Sequence, residues 1–501
     1  MSRAILVAAA AVALLVSCAN ESSDRPAEPR RPHAVLVVLD ELPGDSLLDA
    51  RGRIDPVRYP HFAALAADSV WFRNAYSSYD STTKAVPLTL DGMRPRPKTS
   101  ADRAGHPRSL FDMFERRGYR IVASEEASAL CPRSLCRGGR STRPAIVPNL
   151  LGGRPERFGR WLRTIRSSSR PAFWMKHLLL PHGPLLYLPS GARTRPAPRD
   201  LLPGMNTVPG FHDEFLTRHN EQRYLQQLAF TDRLIGRLTA RLRDQGIYDD
   251  TLIVVTADHG YAWEAGVQTR RSVSRANVDE LAPVPLLVKR PGRARGSISD
   301  TYARTLDVPS TIADVLGYRL GYRDDGLSAF SAVARRRRRV SLPTRDFSST
   351  VSIYGRRWQA LRRRVVRRRL GQFGSGPPGS LFTGIGPNRA LIGRESASLA
   401  RAAAGGPLGR IARVELFRDV PPAGVVPTQI AGDLRGGRAG RALAVAVNGR
   451  IEAVGRSFLL KGDTTEHFAF NVPESALSRD ANEVEVFEVV GGHGLRLVAR
   501  S

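Results

Sequence analysis

Along the first two thirds of the chain, apolar positions follow two alternating patterns. Residues 34–39 (Ala-Val-Leu-Val-Val-Leu) form an unbroken apolar run that ends on Asp40. A run of that length without polar alternation predicts a strand buried on both faces of a parallel sheet. Residues 252–257 (Leu-Ile-Val-Val-Thr-Ala), ending on Asp258, repeat it. Residues 120–123 and 172–177 read as further strands between them. In residues 222–245, Tyr224, Leu225, Leu228, Ile235, Leu238 and Leu242 recur at three- and four-residue steps, which predicts a helix stopped at Gly246. Strands alternating with helices predict an α/β fold, a mostly parallel sheet sandwiched by helices. In such folds, polar residues just past strand ends are where sites are built.

The pattern changes after about residue 330. Residues 335–339 are five consecutive arginines, and residues 356–369 hold eight more. Such runs suit either a solvated face or a patch for lipid headgroups or polyanionic wall polymer. Trp358, Leu361, Val365 and Val366 interleave with the second run like a strand or helix with one buried side. Residues 374–386, rich in Gly, Pro and Ser, read as a loop. From residue 412 short alternating strands are expected at 414–417, at 443–447 and at 483–490. Asn448-Gly449 after the second of these is a strong hairpin turn. The domain plan is a large α/β segment at 33–330, an Arg-rich connection at 331–411 and a smaller β-sandwich-like domain at 412–501.

Composition narrows the class. Apolar residues are 42% and charged residues 25% of 501, which excludes a disordered or fibrous chain. The net charge is +29, and only five of the 76 basic residues are Lys. A basic surface suits an anionic lipid or cell-wall environment. Arg3 precedes thirteen apolar residues, 4–16, too few to span a bilayer as a mature helix. Ser17-Cys18 follows. This is a secretory signal, and the Cys after a small residue resembles a bacterial lipobox. Residues 1–17 are then a signal peptide, Cys18 the lipidated N-terminus, and 18–32 a flexible tether; an ordinary signal with an incidental Cys is the alternative. The expected location is extracytoplasmic, lipid-anchored to a bacterial membrane, which conflicts with a nucleic-acid partner. In that compartment Cys131 and Cys136 are expected to form a disulfide, the alternative being two free thiols.

Four segments carry candidate chemistry: Asp40-Glu41; residues 80–87 (Asp-Ser-Thr-Thr-Lys-Ala-Val-Pro) leading to Asp91-Gly92; residues 177–184 (His-Leu-Leu-Leu-Pro-His-Gly-Pro); and Asp258-His259-Gly260. In this order, with residues 60–76, 238–260 and 284–292 around them, they resemble the alkaline phosphatase/sulfatase superfamily, over residues 33–330. The resemblance implies hydrolysis or transfer of a sulfate or phosphate ester with one divalent metal ion (Zn, Mn or Ca). It implies Asp40, Asp258 and His259 as metal ligands and Thr82 as nucleophile, with Thr83 the alternative register. Lys84 and His182 would bind the transferred anion or protonate the leaving group. His177, at a strand end, and mid-helix Asp232 read as structural. Arg270, Arg271 and Asn277 are candidate substrate clamps or parts of a solvated loop. Classical sulfatases carry Cys or Ser followed by Pro-Ser-Arg at the nucleophile. Thr82-Thr-Lys-Ala-Val instead resembles the phosphoethanolamine and phosphoglycerol transferases, which favours phosphate esters. The partners implied are an ester substrate and a membrane surface; a degenerate member that binds anionic glycan or lipid is the competing reading.

Overall fold

The computed structural model describes residues 31–136, 146–195, 213–266, 272–292, 295–403, 405–420, 424–460, 462–492 and 494–501. The two apolar runs that end on Asp40 and Asp258 become adjacent central strands. Strands β1 (His33–Asp40), β2 (Val70–Phe72), β3 (Arg120–Ser124), β4 (Ala172–Pro181), β5 (Thr251–Ala257), β6 (Leu286–Lys289) and β7 (Ser297–Ser299) form one sheet in the order β3-β4-β1-β5-β6-β2-β7. The pairs β3–β4, β4–β1, β1–β5 and β2–β7 are parallel; β6 runs antiparallel to β5 and β2. All eight residues of β1 and all seven of β5 are buried. Removing each Val or Leu side chain from water is worth roughly 1.5–3 kcal/mol, which is why these runs take the centre of the sheet.

Helices α1 (Pro60–Ala67), α2 (Thr82–Asp91), α3 (Leu110–Arg116), α4 (Ile146–Leu151) and α5 (Arg154–Leu162) lie between β1 and β4 in sequence. Helix α6 (Glu214–Asp244) starts eight residues before the expected 222 and is preceded by its N-cap Asp213, whose side chain accepts from Leu216 N at 2.7 Å. The early start escaped the periodicity because the buried face of its first turns is polar: His219, Asn220, Gln222 and Arg223 are all buried. Helices α7 (Val278–Leu281) and α8 (Val308–Val315) follow. Among the described residues, no helix is long and apolar enough to cross a membrane.

Residues 331–411, read above as a connection, hold regular structure of their own. After α9 (Ala332–Arg335), hairpin β8 (Arg339–Pro343) and β9 (Thr350–Tyr354) leads into α10 (Gly355–Phe373). The interleaved apolar residues explain it: Trp358 and Val365 are buried on one side of α10. The C-terminal strands are β10 (Gly409–Ile411), β11 (Gln429–Leu434), β12 (Ala442–Val447), β13 (Arg450–Arg456), β14 (Phe458–Leu459), β15 (Glu466–Asn471), β16 (Val484–Val490) and β17 (Gly494–Arg500). They make two antiparallel sheets, β10-β11-β15-β14 and β13-β12-β16-β17, whose apolar faces share one core. Asn448 and Gly449 turn β12 into β13 with φ of 50° and 84°. Residues 414–417 form a 3-10 turn instead of the expected strand. Arg413 is left-handed (φ 59°), its carbonyl accepts Leu416 N, and only Phe417 of the four is buried. Residues from Pro32 to Ser501 form one compact unit.

Candidate active site

The site lies at the carboxyl ends of β1, β4 and β5. Asp40, His177 and Asp258 each offer a ligand atom, all within 4.8 Å of one another and all buried. His177 Nε2 lies 3.4 Å from Asp40 Oδ2. Strand alternation separates His177 from its neighbour: Lys176 faces the other side of the sheet and forms a buried ion pair with Glu126. Between Leu39 and Asp40 the β1–β4 register shifts, so Asp40 pairs with Pro181.

Backbone groups hold the carboxylates in place. Asp258 Oδ1 accepts from Glu41 N (3.0 Å) and from His259 N (2.6 Å). The first contact requires Glu41 to turn left-handed, with φ of 58°. Tyr224 on α6 fixes that turn by donating to the Glu41 carbonyl at 2.6 Å. Ser77 Oγ donates to the Asp258 carbonyl. Gly260 is required by close approach: a Cβ there would sit 2.0 Å from the Glu280 carbonyl oxygen.

Asp258 Oδ2 and both oxygens of Asp40 are buried without a hydrogen-bond donor, as are both ring nitrogens of His177. Burial raises the Asp40 carboxyl, but the imidazoles of His182, His177 and His259 outweigh it and hold the group below the ordinary range. Burial, then the charge of Asp40, pushes Asp258 upwards. Two ionised carboxylates this close and this dry repel each other, and a cation between them relieves that repulsion. Two carboxylates and an imidazole with orphaned acceptor atoms fit a divalent ion.

Thr82 is the first residue of α2, where helical N–H groups have no intrahelical partner and an anion is favoured. Its Oγ1 lies 3.3 Å from His259 Nε2. The other nitrogen, Nδ1, is 2.8 Å from the Gly260 carbonyl. A carbonyl only accepts, so Nδ1 carries a proton and Nε2 faces Thr82. Nε2 also lies 3.5 Å from Asp258 Oδ2, so His259 adjoins both Thr82 and the group of Asp40, His177 and Asp258. Burial lowers the His259 pKa, but Asp258, Glu41 and Asp40 together push it above the ordinary value. His182 Nε2 lies 3.4 Å from Glu41 Oε1. Its loop is fixed by buried Arg154, which donates to the carbonyls of Leu179, His182 and Pro184, and by Gln227.

The structure thus gathers Asp40, Asp258, His259, Thr82 and His182. It adds His177, which the sequence had suggested was structural, and Glu41. It also places the buried carboxylate of Asp80 two residues before Thr82, held by Val273 N at 2.7 Å. Other candidates go elsewhere. Lys84 donates to the carbonyls of Pro97 (2.8 Å) and Thr99 (2.6 Å), which uses two of its three N–H donors. Thr83 Oγ1 is 3.5 Å from Ser81 Oγ, not beside His259. Asn277 is buried and braces its own loop, accepting from Ser274 N and donating to the Ser272 carbonyl. Arg270, Arg271 and Cys18 lie outside the described residues. Cys131 and Cys136 form a disulfide with Cα atoms 6.2 Å apart. Asp232 points to α1, whose Phe62 N and His61 N it accepts at 2.7 and 3.2 Å.

An ulvan-active sulfatase of Formosa agariphila is 24% identical over 343 residues, which cover 61% of this chain and 65% of that one. The multifunctional alkaline phosphatase superfamily protein PehA of Trinickia caryophylli is 31% identical over 124 residues, 24% of either chain. The chain therefore spans less than two thirds of the length of these relatives. A crystal structure of the phosphonate monoester hydrolase of Agrobacterium radiobacter aligns with a TM-score of 0.45 at 17% identity, covering 60% of this chain and 76% of that one. The sulfatase family model matches residues 32–131 and 156–318, more than half of the chain. Those two segments contain Asp40, Thr82, His177, His182, Asp258 and His259, and the chain belongs to the sulfatase family within the alkaline phosphatase/sulfatase superfamily.

Proposed function

We propose that this protein is a metal-dependent hydrolase or phosphotransferase of phosphate or sulfate esters in cell-envelope components, with phosphate esters preferred. The observation that carries this reading is the Thr82 hydroxyl at a helix N-terminus, 3.3 Å from His259 Nε2 and beside three buried, unsatisfied ligand residues. Asp40, His177 and Asp258 would hold the divalent ion, with His259 adjoining. Such an ion offsets negative charge on the transferred group and makes a nearby hydroxyl more acidic. Thr82 Oγ attacks phosphorus (or sulfur) and passes its proton to His259 Nε2, while the ester bond to the leaving oxygen breaks. His182, at the rim of the cluster, gives that oxygen a proton. Water or an acceptor alcohol then attacks the phospho-threonine, and its proton restores the catalytic groups. A Thr at this position supports phosphate over sulfate, because it lacks the route to an aldehyde open to Cys and Ser.

The test is metal content together with turnover of p-nitrophenyl sulfate, p-nitrophenyl phosphate and bis(p-nitrophenyl) phosphate by the wild type and Asp258→Asn. The expected result is about one equivalent of metal and highest turnover on a phosphate ester, with both reduced at least ~100-fold in the variant. Metal-free wild-type protein that turns over none of the three would replace this reading with that of a binding protein on an enzyme's scaffold.

We also propose that the protein is extracytoplasmic and anchored through acylated Cys18. The thirteen-residue apolar run before Ser17-Cys18 and the Cys131–Cys136 disulfide support this. Growing cells with a labelled fatty acid should label the wild type and leave Cys18→Ser unlabelled; equal labelling of both would remove the anchor.

A further inference from the structure

The two arginine runs, far apart from the catalytic motifs in sequence, converge on one groove of about 1180 Å³. One side is the stripe Gln359, Arg363, Val366, Arg367 and Leu370 on α10, at three- and four-residue helical steps. Arg335 and Arg338 come from the first run, Arg51 from the loop after β1, and Ile298 from β7. The two carboxylates in the lining are already engaged. Asp45 takes Arg362 Nε at 2.9 Å, and Asp300 takes Arg73 Nε at 2.5 Å. On the rest of α10, arginines have acceptors too: Arg364 pairs with Asp279, Arg368 with Glu280, and Arg369 donates to the Leu48 carbonyl.

Five guanidiniums in the groove, of Arg51, Arg335, Arg338, Arg363 and Arg367, have no carboxylate partner among the described residues. Arg363 and Arg367 are exposed and lie one helical turn apart, where like charges repel. Apolar surface lies between the charges: Ile298 is 50% exposed, and Val366 and Leu370 are half-buried. Arg338 also lines a neighbouring hollow of about 630 Å³, with Arg94 and Arg304, that reaches Ser78, four residues before Thr82.

We infer that this groove binds an extended polyanion, a linear chain bearing sulfate or phosphate groups on a less polar backbone. The concave form decides between this and a membrane. A flat bilayer meets only the rim of a groove, whereas a chain lies along it and meets both the guanidiniums and the aliphatic surface between them. Arg335 donates to the Phe330 carbonyl and Arg338 to those of Arg335 and Arg337, so no carboxylate among the described residues neutralises any of the five. Guanidiniums in that state suit tetrahedral oxyanions, which they grip through two parallel N–H donors. Binding here is separate from ester chemistry and does not rest on the proposed reaction.

Isothermal titration of the full chain with dextran sulfate and with polyphosphate, using neutral dextran as the blank, tests this at about 50 and about 200 mM salt. The groove variant is Arg363→Glu with Arg367→Glu. The control, Arg389→Glu with Arg418→Glu, changes the net charge equally on exposed residues outside the groove. The expected result is polyanion binding that weakens with salt, is about tenfold or more weaker in the groove variant, and changes less than about threefold in the control. Which of the two polymers binds more tightly distinguishes sulfate from phosphate. If thermal melts show the charge reversal unfolded, Arg363→Gln with Arg367→Gln takes its place with the same expectation. Equal weakening of both variants, no weakening of the groove variant, or tighter groove-dependent binding of phosphatidylglycerol vesicles than of either polymer would overturn the proposal. Asp258→Asn should bind both polymers as the wild type does, which keeps a failed catalytic reading apart from a failed groove.

Discussion

Thr82 and Thr83 are chemically identical neighbours, and the fold treats them differently. Thr82 is buried with its hydroxyl at His259, whereas Thr83 is half-buried and turned to Ser81. Thr82→Ala is therefore expected to lower kcat at least ~100-fold with little change in stability, and Thr82→Ser to keep most of it. Thr83→Ala should stay within about twofold of the wild type. Steady-state kinetics on the preferred ester decides, and full activity in Thr82→Ala would remove the covalent intermediate. Asp40 and Asp258 were legible because the resemblance of the four segments to the superfamily marks both as ligands, each just past a largely apolar strand. The sequence hid His177, because an inward His in a strand looks the same whether it packs or binds. Only the β1–β4 register, with its shift at Asp40, brings the ring within 3.4 Å of that carboxylate. The contacts of Lys84 were hidden for a related reason: the carbonyls that hold it lie 13 and 15 residues away in irregular chain, with no periodicity to announce them.

Helix α1 shows how one element is finished by another. Its N-cap, Tyr59, makes no side-chain cap, and Asp232 on α6 supplies the missing acceptor to the N–H groups of His61 and Phe62. Asp232→Ala should cost about 1–2 kcal/mol, read from the urea midpoint. Its pH dependence has a definite sign. Burial pushes this carboxyl from the ordinary 3.8 up to about 7, against the two N–H donors that lower it. A group whose pKa is raised by folding stabilises most below its unfolded value, and that stabilisation is lost as pH rises through the folded value. Wild type should therefore lose stability relative to Asp232→Asn between about pH 4 and pH 7 and run parallel to it above. A difference independent of pH would show that Asp232 stays ionised throughout. Long apolar elements, β1 and β5 above all, were plain in the sequence. The first two turns of α6 were not, because their buried polar face matches neither a core pattern nor a surface one.

At the scale of the whole molecule, α6 explains that anomaly. It lies between the catalytic sheet and the C-terminal sandwich and has to satisfy both. Towards the site it presents Tyr224 to Glu41 and Gln227 to the His182 loop. Towards the sandwich, Gln222 accepts from Asn471 at 2.8 Å, and Leu216 packs with Ala431, Phe458 and Ala469. A second bond, Arg195 to Gln429 at 2.8 Å, crosses the same seam. The sandwich is thus part of what positions the site, although its sequence lies outside the matched family segments. If so, the two regions unfold together. Calorimetry of the full chain should show one transition, with the van't Hoff and calorimetric enthalpies in agreement. Leu216→Ala, which removes the apolar centre of the seam, should cost about 2–4 kcal/mol and lower that single transition without splitting it. Its kcat should fall as well, because the same helix holds the Glu41 turn and through it the Asp258 carboxylate. Two transitions in the wild type, or a Leu216→Ala protein that keeps its kcat while the sandwich melts separately, would make the C-terminal region an independent module and leave α6 as its anchor alone.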